Sequence, residues 1–149
     1  MALIKPLRGF TPVIGENTFL AENATIIGDV TIGDRVNIQD GVVVHTLYQR
    51  SVTVIGNDIS IGHNANIHGA RIEDKCLIGM GATVLDHAVV GTGSIVAANS
   101  LVLSKTVIEP GSVYAGVPAR RVKDVTPEQV RDIIERTARD YMMYASWYK

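Results

Sequence analysis

The sequence predicts an all-β fold, a parallel β-helix of hexapeptide repeats closed by one C-terminal α-helix. Three observations predict it. An aliphatic residue returns every six positions through most of the chain, and a small or β-branched residue follows it four positions later. The composition is 46% hydrophobic but only 5% aromatic, which suits stacked strands of Val and Ile better than a helical globule. Six is not a helical period. Six residues make one short strand and a corner, and three such units close a triangular coil of about 18 residues. Hexapeptide coils wind left-handed, against the usual right-handed crossover. Each coil pairs only with its neighbours, so stability accumulates along the stack.

The elements follow in order, in one domain over residues 1–149. Residues 1–13 carry Pro6, Gly9 and Pro12 and read as an irregular lead-in with a short edge strand. The β-helix is expected over residues 14–118. Its inward positions begin with Ile14, Leu20, Ile26, Ile32, Ile38 and Val44, with Thr18, Ala24, Val30, Val36, Val42 and Tyr48 as the companions near the corners. The frame pauses over residues 49–54, resumes at Ile55, Ile61 and Ile67, and loses one residue before Ile72. It then runs through Ile78, Val84, Val90, Val96, Val102 and Ile108. Pro110 and Pro118 end the coils. A helix is expected over residues 126–148, with Thr126 as N-cap, Pro127 in the first turn and Gln129 completing a capping box. Its apolar stripe is Val130, Ile133, Ile134, Ala138, Tyr141, Met142 and Ala145, so it should lie along the outside of the prism. The aromatic tail MMYASWYK is expected to dock on a neighbouring surface.

Charge narrows the function classes. A net charge of −1 and a pI near 6.4 give no reason to expect nucleic acid or an anionic membrane as partner. The single cysteine, Cys76, excludes an internal disulfide and fits a reducing compartment; it stands at an inward small position, where packing is its expected role. The opening MALIKPLRGFTP has no apolar run of signal-peptide length, and no stretch is long enough to span a bilayer. These features predict a cytoplasmic protein.

Three of the four histidines fall between Asn37 and His68. His45 follows Val44 and His68 follows Ile67. Counting Val44, Ile55, Ile61 and Ile67 gives three units, one full coil. The two histidines should therefore stack on one edge at the spacing of paired strands, about 4.8 Å, where two imidazoles can share a metal. His63 lies at the third position of the intervening unit, on a different corner. It can join that pair only from another copy of the chain, which a cyclic trimer of prisms provides. Two histidines from one chain, one from the next and an open position is the arrangement of a catalytic zinc. Asn37, Gln39 and Asp40 are expected one coil before the unit of His68, with Gln39 on the face neighbouring His45. They either orient a reacting water or form a polar ladder that satisfies corner backbone. His87, at a fourth position without a stacked partner, reads as a corner residue.

The segments NIQDGVVVH, IGHNANIHG and IGMGATVLDHAVVGTGSIVAANSLV resemble the core of the γ-class carbonic anhydrases, and YAGVPARRV resembles their exit motif. The resemblance covers residues 10 to 148. It implies that His45, His63 and His68 are metal ligands, that Gln39 orients water or CO2, and that Asp40 and Asn37 support it. It implies a homotrimer holding Zn2+, or Fe2+ or Co2+, that hydrates CO2 reversibly to bicarbonate. The chain departs from that pattern before Asn37, where the family carries a coil with a tryptophan and an Arg-Gly-Asp triplet. Here Thr31-Ile32-Gly33 runs straight into Asp34-Arg35-Val36, and the only tryptophan is Trp147. The frame is unbroken at the junction, so about one coil is missing as a unit. Two other functions stay open. A hexapeptide acyltransferase or acyl-CoA thioesterase-like enzyme is suggested by Gly116–Ala119, and a catalytically inactive metal-binding trimer by the missing coil.

Overall fold

The computed structural model describes residues 1–148 of the chain. The fold is the expected left-handed parallel β-helix, a triangular prism of about six coils whose three faces are parallel sheets. The first face stacks Leu3–Lys5, Thr25–Ile27, Val43–His45, Asn66–His68, Thr83–Val84 and Leu101–Val102. The second stacks Val13–Ile14, Val30–Ile32, Thr53–Ile55, Arg71–Ile72, Val89–Val90 and Val107–Ile108. The third stacks Phe19–Leu20, Asn37–Ile38, Ser60–Ile61, Leu77–Ile78, Ile95–Val96 and Ser112–Gly116, with Ala119–Asp124 added antiparallel at its end.

The six-residue rule has a direct packing cause. Ile26, Ile32, Ile38, Val44, Ile55, Ile61, Ile67 and their successors point into the prism and are essentially fully buried, while Ala24, Ala65, Ala82 and Ala88 fill the corners. Each corner turns through a left-handed residue. One column of corners runs Asn17, Arg35, Asp58 and Lys75, all with φ between 53° and 57°. Another contains Gly69, His87 and Lys105. His87 is thus a corner residue, as its position in the frame predicts. Side chains close part of the backbone of the turns: Asp34, Asn57 and Asp74 each accept, through Oδ1, the N–H of Glu16, Asp34 and Asn57 on the coil below, at 2.8 Å each.

The boundaries differ from the sequence reading in four places. The lead-in is part of the prism, because Leu3–Lys5 pairs in parallel with Thr25–Ile27 as the first strand of the first face. The break in the frame is residues 46–52 rather than 49–54, since Thr53 is fully buried and paired in the second face, while Tyr48 lies out on the exposed excursion. The parallel coils end at Pro118, but the third sheet gains one more strand beyond it. The chain turns back there through a cis Val117–Pro118 bond, and Ala119–Asp124 pairs antiparallel with Ser112–Gly116. The helical run starts at Pro127, after the extended N-cap Thr126, and is not uniform: Pro127–Gln129 is α, Val130–Glu135 is π, Arg136–Ala145 is α and Ser146–Tyr148 is 3-10.

The helix packs on the third face. The capping box at Thr126 is present in both directions. Ile134 is buried with Ile95 and Val113. Further along, Tyr141 and Tyr148 approach Phe19, with ring centroids 6.3 Å and 5.2 Å away. The aromatic tail therefore docks on its own chain, because Phe19 at the other end of the same face offers it an apolar partner.

Candidate metal centre on two faces

The chain divides the candidate residues between two faces. On the first face His45 and His68 are strand partners in register. Their rings stack with centroids 5.3 Å apart and 30° between planes, and His45 Nδ1 lies 3.2 Å from His68 Nε2. Two nitrogens bound at about 2.0–2.1 Å to one tetrahedral zinc stand about 3.3 Å apart, so the spacing suits a shared ion. Burial lowers the pKa of His45, and the neighbouring His68 lowers it further. Both effects favour the neutral imidazole that a metal requires.

His68 is held from behind. Its Nδ1 lies 2.9 Å from Asp86 Oδ2, and Ser51 Oγ donates to Asp86 Oδ1 at 2.7 Å. Burial pushes the Asp86 carboxyl up, but the hydrogen bonds from Ser51 and His68 outweigh it and hold the group below the usual carboxylate range. Sequence reasoning missed both Asp86 and Ser51. Counting one full coil of 18 residues on from Gly69 lands on His87, and only the short unit before Ile72 brings Asp86 opposite Gly69.

The third face and the corner that follows it carry the remaining candidates. Asn37 and Ile38 pair with Ser60 and Ile61, so Asn37, Gln39 and Asp40 lie one coil below the strand of His63, not that of His68. The expected position was wrong because the excursion at residues 46–52 belongs to the corner between the first and second faces, so it moves no residue of this ladder. Asn37 and Gln39 are buried. Asn37 Nδ2 donates to Ser60 Oγ at 2.6 Å, and Gln39 Nε2 donates to Asn37 Oδ1 at 3.0 Å. These bonds fix the amide of Gln39, whose Oε1 accepts no hydrogen bond among the described residues. His63 sits between Asp40, 3.3 Å from Nδ1, and the Tyr141 hydroxyl, 3.4 Å from Nε2. Burial raises the pKa of Tyr141, with smaller contributions from Tyr148 and Asp40.

Gln39, His63, Leu77, Met80 and Tyr141 line a mostly apolar groove of about 390 Å³ between the third face and the helix. Among the described residues of a single chain, no three His, Cys, Asp or Glu side chains converge as a metal-binding group. One chain thus offers two facing imidazoles on its first face, and a histidine, an amide and a carboxylate at its third face and the corner that follows it. A neutral imidazole pair backed by a carboxylate is a donor set that fits zinc.

A hexapeptide β-helix bearing face-mounted histidines is the class that this fold and these residues define. The family model described as bacterial transferase hexapeptide (six repeats) matches residues 11–46 and 69–104. The chain is 33% identical to a protein named carbonic anhydrase from Geobacillus kaustophilus, over 99% of this chain and 91% of that one. It is 35% identical to the protein named gamma carbonic anhydrase 1, mitochondrial, of Arabidopsis thaliana, over 87% of this chain, and spans only 56% of that relative's length. A solved structure of a hexapeptide transferase family protein from Anaplasma phagocytophilum superposes with a TM-score of 0.84 at 32% identity, covering 99% of this chain and 98% of that one. The chain belongs to the γ-class carbonic anhydrase-like family of hexapeptide-repeat proteins. The Geobacillus match extends over 168 aligned positions against 149 residues here, so at least 19 of those positions have no residue in this chain. No helix among the described residues is long and apolar enough to cross a membrane.

Proposed function

We propose that this protein is a γ-carbonic-anhydrase-like metalloenzyme that hydrates CO2 reversibly to bicarbonate, a lyase reaction, at sites between the subunits of a cytoplasmic homotrimer. The observation that carries the reading is the division of the donors. His45 and His68 meet at 3.2 Å on one face, while His63 stands in the corner after another face, beside Gln39 and Asp40. In a cyclic trimer the first face of one protomer meets the third face of the next, bringing His63 to the pair. The group held there is Zn2+, with Fe2+ or Co2+ also suited to imidazole donors. When bound, it supplies Lewis acidity toward water and CO2.

The chain's own residues do the rest. Gln39, fixed through Asn37 and Ser60, presents Oε1 to accept a hydrogen from the attacking water and so orient it. Asp40 holds the His63 ring and is the nearest carboxylate to take up a proton released on that side. The apolar walls of the groove beside Gln39, Leu77 and Met80 among them, suit uncharged CO2 more than bicarbonate.

The test is metal content measured against native mass. One metal ion per chain, found in the trimer only and accompanied by CO2 hydration in stopped-flow assays, is the expected result. A well-folded trimer that takes up no metal would sink the site assignment. A second reading, a metal-binding trimer without activity, is favoured by the positions of the Geobacillus relative that have no residue here. Stoichiometric metal with no hydration would select it. An acyl-transfer or thioester-cleaving role draws only on the likeness to hexapeptide transferases and gives no use for three histidines divided in this way.

A further inference from the structure

We infer that Asp86, oriented by Ser51, is a positioning residue that fixes the tautomer of His68 so that its Nε2 lone pair faces His45. The consequence for metal affinity rests on the function proposed above; the tautomer itself does not. The Leu47 N–H donates to Ser51 Oγ at 2.9 Å, so that oxygen is already engaged as an acceptor and the Ser51 hydroxyl hydrogen turns to Asp86 Oδ1 at 2.7 Å. The other carboxylate oxygen, Oδ2, is left to accept from His68 Nδ1–H at 2.9 Å. A neutral imidazole protonated on Nδ1 has its lone pair on Nε2, the atom 3.2 Å from His45 Nδ1. Gly69 makes the arrangement possible, since a Cβ there would collide with both Asp86 Oδ1 and Ser51 Oγ. The excursion at residues 46–52 thereby acts on the site through one hydroxyl, and its other end is fastened to the lead-in by the edge of Phe10 on Tyr48, centroids 6.2 Å apart.

The chain of bonds makes a directional prediction. In Asp86→Asn, Ser51 still donates and so keeps the amide oxygen. The amide N–H2 is then turned to His68 Nδ1, which must accept, and the proton moves to Nε2. Removing the Ser51 hydroxyl frees the amide to turn round. Long-range 1H–15N correlation spectra of the full-length, EDTA-treated protein near pH 8 read the tautomer, and Zn2+ competition titrations read affinity. Circular dichroism and thermal melts confirm that each variant is folded.

The wild type is expected to show His68 as the Nδ1–H form. Asp86→Asn is expected to shift it to Nε2–H and to weaken Zn2+ binding by about 10–100-fold. The Ser51→Ala/Asp86→Asn double variant is expected to recover part of both. A purely structural role predicts that the double variant is no better than the single. That result, or an unchanged His68 tautomer in Asp86→Asn, overturns the inference. If the tautomer moves as stated but the wild type binds no Zn2+, the positioning role stands and the metal-centre reading falls.

Discussion

Gly69 shows how much one side chain, or the lack of one, decides here. It sits at a corner with φ of 63°, and the space where its Cβ would lie is taken by Asp86 and Ser51. Gly69→Ala therefore meets two penalties, backbone strain and displacement of the pair that holds His68. A loss of about 1–3 kcal/mol in urea unfolding is expected, with weaker metal binding at the same time. A variant as stable as the wild type would show that the corner relaxes freely. Cys76 makes the opposite point. Burial pushes its thiol up to about 12. It should resist thiol reagents in the native protein at pH 8 and react at once when unfolded. Because the folded value is raised, any linked stability is complete below the ordinary thiol pKa and lost as pH climbs above it. Rapid labelling of the native protein would disprove the packing role. The inward position of Cys76 and the stacking of His45 on His68 both follow from counting sixes. The reach of Asp86 to His68 does not, because it depends on the short unit before Ile72 and on the open space at Gly69, which periodicity alone does not weigh.

Among the elements, the corners and the helix carry separate tasks. Arg35 and Asp58, neighbours in one corner column, form a two-point ion pair of 2.7 Å and 3.0 Å. Hydrogen bonding to Arg35 lowers the Asp58 pKa more than burial raises it. A lowered carboxylate stabilises above its unfolded pKa, about 3.9, and that contribution fades as pH falls through the lower folded value. Asp58→Asn keeps a residue type that tolerates the left-handed corner and removes only the charge. Its small destabilisation should appear at pH 7, shrink in high salt and fade as pH falls through the lowered folded value; a deficit independent of pH would mean that the pair is not its source. The helix is fastened at one end by its cap and at the other by Phe19. Thr126→Ala should cost about 1 kcal/mol of helix stability, read as faster amide exchange over residues 127–135. Unchanged exchange there would mean that Ile134 alone holds the element. The helix start was legible from Thr126, Pro127 and Gln129. The hairpin at Ser112–Gly116 and Ala119–Asp124 was not, because a proline that ends coils and a proline inside a tight turn look alike in sequence.

At the level of the whole molecule, the proposed function makes the site a property of two chains, and that can be tested without any assay of catalysis. His63 lies in the corner that follows the third-face strand Ser60–Ile61, and His45 and His68 lie on the first face. If a metal centre joins the third face of one protomer to the first face of the next, His63→Ala and His68→Ala homotrimers should both fail to bind zinc, for different reasons. Mixing and reassembling the two proteins changes this. An interface between the intact His63 of a His68→Ala chain and the intact His45 and His68 of a His63→Ala chain has every ligand. A cyclic trimer containing both kinds of chain has one such interface whatever its composition. Random reassembly in equal amounts should therefore restore about a quarter of the wild-type zinc content. Recovery cannot arise within one chain, since neither variant has all three histidines. If the mixture stays metal-free after subunit exchange has been verified by mass, the ligands do not come from adjacent protomers. The same experiment bears on the positions present in the Geobacillus relative and absent here. If those positions form one whole coil, its removal leaves every later residue on its own face, so it should shorten the interface without moving His63 away from its partners. Recovery that needs high protein concentration would place the effect of the lost coil on assembly, whereas recovery at wild-type concentration would leave the short prism a sufficient frame for the site.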